Sequence, residues 1–312
     1  MTARPLITSP ACAATAAGHG GRWELLRALG AIATTPPPLS RPVAASLGLP
    51  QPAAAEHTGV FVLSAPPHAG IYLGAEGKLG GEGLDRVAGF WRALGLAPPR
   101  DADHLGALLA LYAELGEAAA AARSERARAG VRRAREALLW EHLWSWAPGY
   151  LTAVARLETP SLGPWARLTL RALAREAGLA APPAALPLAL RSAPRRPGPG
   201  SPSVPSRHEL LDVLLAPVRS GVVITAEDLR HAAAAAGAGY RLGERRYTLA
   251  AMLDQDSLAT IGWLRTFARK WARWHAGQRP VPAPDPRRWW AGRARGTAAA
   301  LDDLLGRLAT AG

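Results

Sequence analysis

Apolar side chains recur along much of this chain at the three- and four-residue spacing that gathers them on one helix face. Val87, Phe90, Trp91 and Leu94 predict a helix over 85–96, with Pro98-Pro99 ending it. Leu105, Leu108, Leu109, Tyr112 and Leu115 predict a second over 103–121, with Asp101 or Asp103 as its N-cap. Val131, Ala134, Leu138 and Trp146 point to a third over 125–146, with Pro148 after it. Trp165, Leu168 and Ala172 point to a fourth over 162–177, its arginines outward. The short connections argue for a bundle. Further on, Thr225 and Asp228 form a helix start of capping-box type. Leu258, Ile261, Leu264, Phe267, Trp271 and Trp274 predict a helix over 257–275, and Pro286 suits the first turn of a last helix over 285–308.

Between these patterns lie stretches without periodicity. Residues 1–55 are rich in Ala, Pro and Gly around one short helical candidate, 23–32, and read as a poorly ordered N-terminal arm. The compact region is expected over 56–190. A Pro/Gly/Ser linker at 191–207 then separates it from a basic helical extension at 208–312. Val, Ile, Phe and Tyr are scarce while Ala, Leu and Arg dominate, so the expected class is all-α throughout.

The single cysteine, Cys12, excludes an internal disulfide and any Cys-rich metal or iron–sulfur site. No apolar run approaches the roughly 18–20 residues of a membrane span. Pro5, Pro10 and Gly18 interrupt any signal-peptide core, so a soluble cytoplasmic protein is expected.

Charge changes the picture more by its placement than by its total. The chain carries +13, but only Lys78 and Lys270 are lysines, and the arginine bias reads as compositional. Residues 72–117 hold four basic and seven acidic side chains, a net −3, whereas the blocks 1–71, 118–190 and 191–312 are each net basic. Asp103, His104 and Gly106 lie inside that island, directly ahead of an apolar helix.

Asp-His-x-Gly at the mouth of a helix resembles the signature of the TorD/DmsD/NarJ-like chaperones, which mature molybdenum redox enzymes and bind their export signals. Two further segments extend the resemblance. Pro67, Ile71 and Tyr72 match the family's Pro-x-x-Ser-[Val/Ile]-[Tyr/Trp], with Gly70 in place of the serine. His142, Leu143 and Trp146 match its His-Leu-x-Pro-Trp, with Ser145 in place of the proline, so the helix is expected to run on towards Pro148. The three motifs stand in family order over about 66–175; residues 208–312 are a departure.

The resemblance implies an all-helical, cofactor-free chaperone, monomeric or homodimeric, without membrane insertion. It would bind the twin-arginine signal peptide and the body of a molybdopterin-dependent oxidoreductase during cofactor insertion, before export. Asp103, His104, Gly106, Tyr72, Trp91, Leu108, His142 and Trp146 are then the candidate signal-peptide-binding residues. Carboxylates would receive the two guanidinium groups, with Asp101, Glu82 and Asp85 supplementing Asp103, and an apolar groove would take the rest. The residues themselves leave plainer readings open. Asp103 can be a helix cap, Tyr72 a core aromatic with its hydroxyl at the surface, and His142 and Trp146 packing at i, i+4.

Other chemistries find little support. Gly77-Lys78 lacks the flanking residues of a phosphate loop, since Leu79 stands where Ser or Thr belongs. His104 and His142 lack further ligands at zinc spacing. No Gly-x-Ser-x-Gly, His-Glu-x-x-His or Cys–His arrangement exists, so no catalytic residue, cofactor or metal is assigned. The competing class is a DNA-binding regulator, with a helix-turn-helix in 208–275 built on 225–236, the turn 237–239 and Arg241, Arg245 and Arg246. Titration with twin-arginine peptides and with duplex DNA separates the two.

Overall fold

A computed structural model describes residues 20–194, 205–241, 243–277 and 284–311. The first nineteen residues, with Cys12, and most of the expected linker lie outside it. Helices account for all the regular structure among the described residues, as the all-α expectation requires. They form two compact units, one comprising residues up to Gly70 with Leu79–Pro183, the other Ile71–Lys78 with Ala184 onward. The short segment 71–78 thus joins the C-terminal unit, a connection no composition shift marks.

The first unit contains α1 (Gly20–Thr34), α2 (Arg41–Ser46), α3 (Ala54–Thr58) and a π-helical turn, 59–64. After α4 (Ala69–Leu73), which straddles the boundary, come α5 (Gly81–Ala93), α6 (Leu105–Ala121) and α7 (Glu125–Ala137). A second π-helical turn at 138–143 leads to α8 (Ala147–Ala155) and α9 (Leu162–Leu179). The centre is α6. It buries Leu111 and Ala113 as well as the expected Leu105, Leu108, Leu109, Tyr112 and Leu115, because α1, α7 and the second π turn surround it. A helix apolar on most of its circumference belongs in the interior.

The arm expected over 1–55 is not what its described part shows. α1 packs along α6 and buries Trp23, Leu26, Leu29 and Ile32. Trp165 of α9 donates its indole N–H to the Leu29 carbonyl at 2.9 Å, and buried Glu176 accepts from Arg22 (3.2 Å) and the Tyr112 hydroxyl (3.0 Å). Glu56 caps α9 by accepting from the Ser161 and Leu162 amides.

Two helix ends differ from expectation for local reasons. α5 stops at Ala93 because Gly95 takes a left-handed φ of 78° and closes the turn onto Arg92, ahead of Pro98-Pro99. The helix expected over 125–146 passes into the π turn at Leu138, where Trp144 N–H reaches back to Leu139 O. Pro148 then starts α8 instead of ending its predecessor, since the first turn needs no proline N–H.

The second unit adds α10 (Leu188–Arg191), α11 (Arg207–Leu214), α12 (Pro217–Ser220), α13 (Ala226–Ala236), α14 (Arg245–Gln255), α15 (Ser257–Gly277) and α16 (Pro286–Ala311). Thr225 and Asp228 close the expected capping box. On α15, Leu258 is exposed, while Ile261, Leu264, Phe267 and Trp271 are buried.

Candidate functional site

Asp103 and His68 set the geometry of the acidic island. The segments 67–70 and 103–105 pair in one antiparallel bridge, in which Ala69 N–H donates to Asp103 O (3.0 Å) and Leu105 N–H to Pro67 O (2.7 Å). The Asp103 side chain reinforces the same pairing. Its Oδ2 accepts from Gly70 N–H at 2.8 Å, and its Oδ1 lies 3.2 Å from His68 Nδ1. Burial works against the carboxylate's charge, but these bonds outweigh it and hold its pKa below the usual value. Asp103 is 2% exposed.

The N-cap of α6 is His104, a correction to the expected Asp101 or Asp103. Its Nδ1 accepts from Gly106 N–H at 3.0 Å, so that nitrogen must be unprotonated. Burial, helped by neighbouring His68, pushes the His104 pKa down to about 4, which keeps the ring neutral and the cap intact. The two imidazoles meet edge to face at 4.9 Å.

Gly106 is where α1 crosses α6. A β-carbon there would sit 2.4 Å from Thr34 Cγ2 and 2.6 Å from Gly30 O. The Asp-His-x-Gly motif therefore does three structural jobs: Asp103 staples the 67–70 segment, His104 caps α6, and Gly106 admits α1. Gly70, which replaces the family's serine, is itself tightly packed, since a β-carbon on Gly83 would lie 2.5 Å from its Cα.

The other expected site residues divide by exposure. Leu108 and Trp146 are buried in the core, and Trp146 donates its indole N–H to His142 O at 2.7 Å. His142 is also buried; burial first, and Arg86 second, lower its pKa to about 4, and its ring contacts Phe90 at 4.8 Å. Ser145, in the place of the family's proline, bonds Glu141 O. Tyr72 is 2% exposed and belongs to the second unit, where burial raises its pKa and Arg245 opposes the rise. Its whole side chain is core, including the hydroxyl expected at the surface.

Solvent reaches a different subset. Trp91 is half-buried and bonds Ala102 O at 3.4 Å, which sets its indole beside exposed Asp101. Phe90, His68 and His104 are also half-buried, and Glu82 and Asp85 are exposed. Trp91, through the Ala102 carbonyl, and His104 thus flank exposed Asp101 along the chain, while half-buried Phe90 packs on His142. Periodicity assigned Phe90 and Trp91 inward, and no local signal marked them as half-open.

Residues 44–151 match the family model described as nitrate reductase delta subunit. The match covers less than half of the chain and supports the resemblance to the NarJ/TorD-like chaperone family. Its members are chaperones of molybdoenzyme maturation, not catalysts. All three motifs fall inside the match, whereas α1 and everything after Leu151 fall outside. Searches of curated proteins and of solved structures found no match. Among the described residues no helix is long and apolar enough to cross a membrane.

The helix-turn-helix expectation meets a different geometry. α13 and α14 are separated by 237–244, longer than the 3–4-residue turn of that motif. Arg245 donates to Ile224 O and Arg246 pairs with Asp212, so two of the three arginines assigned to recognition serve the unit itself.

Proposed function

We propose that this protein is a cytoplasmic, non-catalytic chaperone that binds the twin-arginine signal of a molybdopterin-dependent oxidoreductase and holds that client for cofactor insertion before export. The observation that carries the reading is the family match over 44–151, which contains the three motifs in order. The acidic island supplies the electrostatic half of the recognition. With both Asp103 oxygens engaged by the 67–70 segment, the carboxylate offered to a guanidinium is Asp101, next to Ala102, whose carbonyl accepts from Trp91; Asp85 is exposed elsewhere in the acidic block, and Glu82 already pairs with Arg86 at 2.6 Å. Asp103 and His104 hold the loop that presents Asp101.

Magnitudes divide the work. An exposed Asp–Arg pair contributes about 0–1 kcal/mol. Burying three leucines of a signal contributes roughly 5–9 kcal/mol before association costs. Apolar contact therefore sets affinity, starting from Phe90 and Trp91, and the carboxylates set register. Because Leu108 and Trp146 are buried, engaging them requires a peptide-induced opening of the first unit.

Calorimetric titration of the full chain tests this. A twin-arginine signal peptide binds more tightly than its Lys-Lys form, and loss of the apolar stretch abolishes binding. Equal affinity for all three peptides, or no binding, overturns the proposal.

A further inference from the structure

In the second unit the two longest helices, α15 and α16, pack against each other and leave a shallow cavity of about 420 Å³. Ala272, Ala276 and Ala298 line it together with Arg269, Arg273 and Arg295. The helices run antiparallel there, since Asp302 pairs with Arg265 and Arg269 while Arg295 faces the later turns of α15.

Charge on this pair is one-sided. The two helices carry nine basic and two acidic residues, a net +7, and α15 has no carboxylate. Asp302 accepts from Arg265 at 3.1 Å and also engages Arg269, which partly neutralises one end of the cavity. Arg273 and Arg295 are exposed and have no acidic partner among the described residues. They come from different helices to the edges of one depression lined by methyl groups.

We propose that this cavity docks an acidic amphipathic segment of a partner protein, its carboxylates on Arg273 and Arg295 and its small apolar side chains on the alanines. The proposal rests on the chaperone reading in naming the partner as the client. Guanidinium groups accept carboxylates in a planar, two-point geometry, and the alanines allow a backbone to approach closely. Single-stranded nucleic acid is disfavoured because no aromatic side chain in the lining offers a base a stacking surface.

The test uses the full chain and a fluorescein-labelled synthetic helix with glutamates along one face and leucine and alanine along the other. Anisotropy gives saturable binding that weakens as salt is raised. The double reversal Arg273→Glu/Arg295→Glu lowers the affinity about tenfold or more, as expected when like charges face each other. Ala276→Trp, which fills the cavity at an exposed position without changing charge, lowers it as well. Unaltered circular dichroism and melting temperature show that both variants fold. The proposal is overturned if the glutamate helix does not bind, if either variant binds as well as the parent, or if duplex DNA binds more tightly at equal ionic strength. It is also overturned if sedimentation shows a second copy of this chain seated on the cavity, as a self-association lost in the double reversal. Twin-arginine peptide titrated against the same proteins keeps the two readings apart: its failure with the parent chain sinks the signal-peptide reading, and its unchanged binding to the double reversal leaves the loss specific to the cavity.

Discussion

Gly106 faces Gly30 across the crossing of α6 and α1, so closely that a β-carbon on Gly106 would lie 2.6 Å from the Gly30 carbonyl oxygen. Backbone cannot move aside as the end of a long side chain can. Gly106→Ala is therefore expected to destabilise the protein by about 2–3 kcal/mol through overpacking. Gly130→Ala on α7, where nothing lies within 4 Å, is expected to stabilise it by about 0.5–1 kcal/mol. Urea denaturation of the two variants checks the opposite signs.

Asp103 holds Gly70 N–H out of water, and removing the acceptor leaves that donor buried and unpaired. Asp103→Ala is expected to cost about 2–3 kcal/mol. Asp103→Asn keeps an oxygen for the amide and costs less. Hydrogen exchange at Gly70 distinguishes the variants: fast in the alanine form, slowed in the asparagine form.

Acid sensitivity should come from buried neutral histidines. His104, His142 and His275 each have a folded pKa near 4, against an ordinary value of 6.5, with burial the first cause in all three. Between those values the unfolded chain binds more protons than the folded one, so stability rises with pH across about 4 to 6.5 and falls as pH drops through that window. Asp103, whose pKa is lowered, adds a loss below the ordinary carboxylate value. Melting temperatures from pH 7 to 4 should therefore fall steadily. His142→Phe, which keeps an aromatic ring against Phe90, should flatten the slope.

Trp23 couples α1 to the core. Its ring carries the Arg22 guanidinium at 3.9 Å, meets Tyr112 edge-on at 6.0 Å, and packs where a β-carbon on Gly116 would stand 2.5 Å from it. Trp23→Ala is expected to cost about 3–5 kcal/mol, and a chain starting after Thr34 should lose cooperative unfolding. A truncated chain as stable as the parent would show that α1 is dispensable.

Much of the architecture was legible in residue order. The capping box at Thr225–Asp228 and the inward residues of α15 from Ile261 to Trp271 are local patterns, and each occurs as the pattern implies. α1 was harder to read. Its 23–32 periodicity was visible, but the surrounding Ala, Pro and Gly suggested an arm, and only the notch at Gly30 and Gly106 shows why it docks. The site was the least legible part. Leu108 and Trp146 look like groove residues or core residues alike in sequence, and burial makes them core.

Spacing and composition alone determined that the chain is helical, where most helices lie, and which family its acidic island resembles, because side-chain periodicity and capping chemistry act within a few residues. Tertiary structure decided what Asp103 and Gly106 do, because the groups that use them, at Gly70 and His68 for the first and at Gly30 and Thr34 for the second, lie far away in the chain. A carboxylate offers the same two oxygens to a ligand or to its own backbone, and only the fold brings one of them within reach.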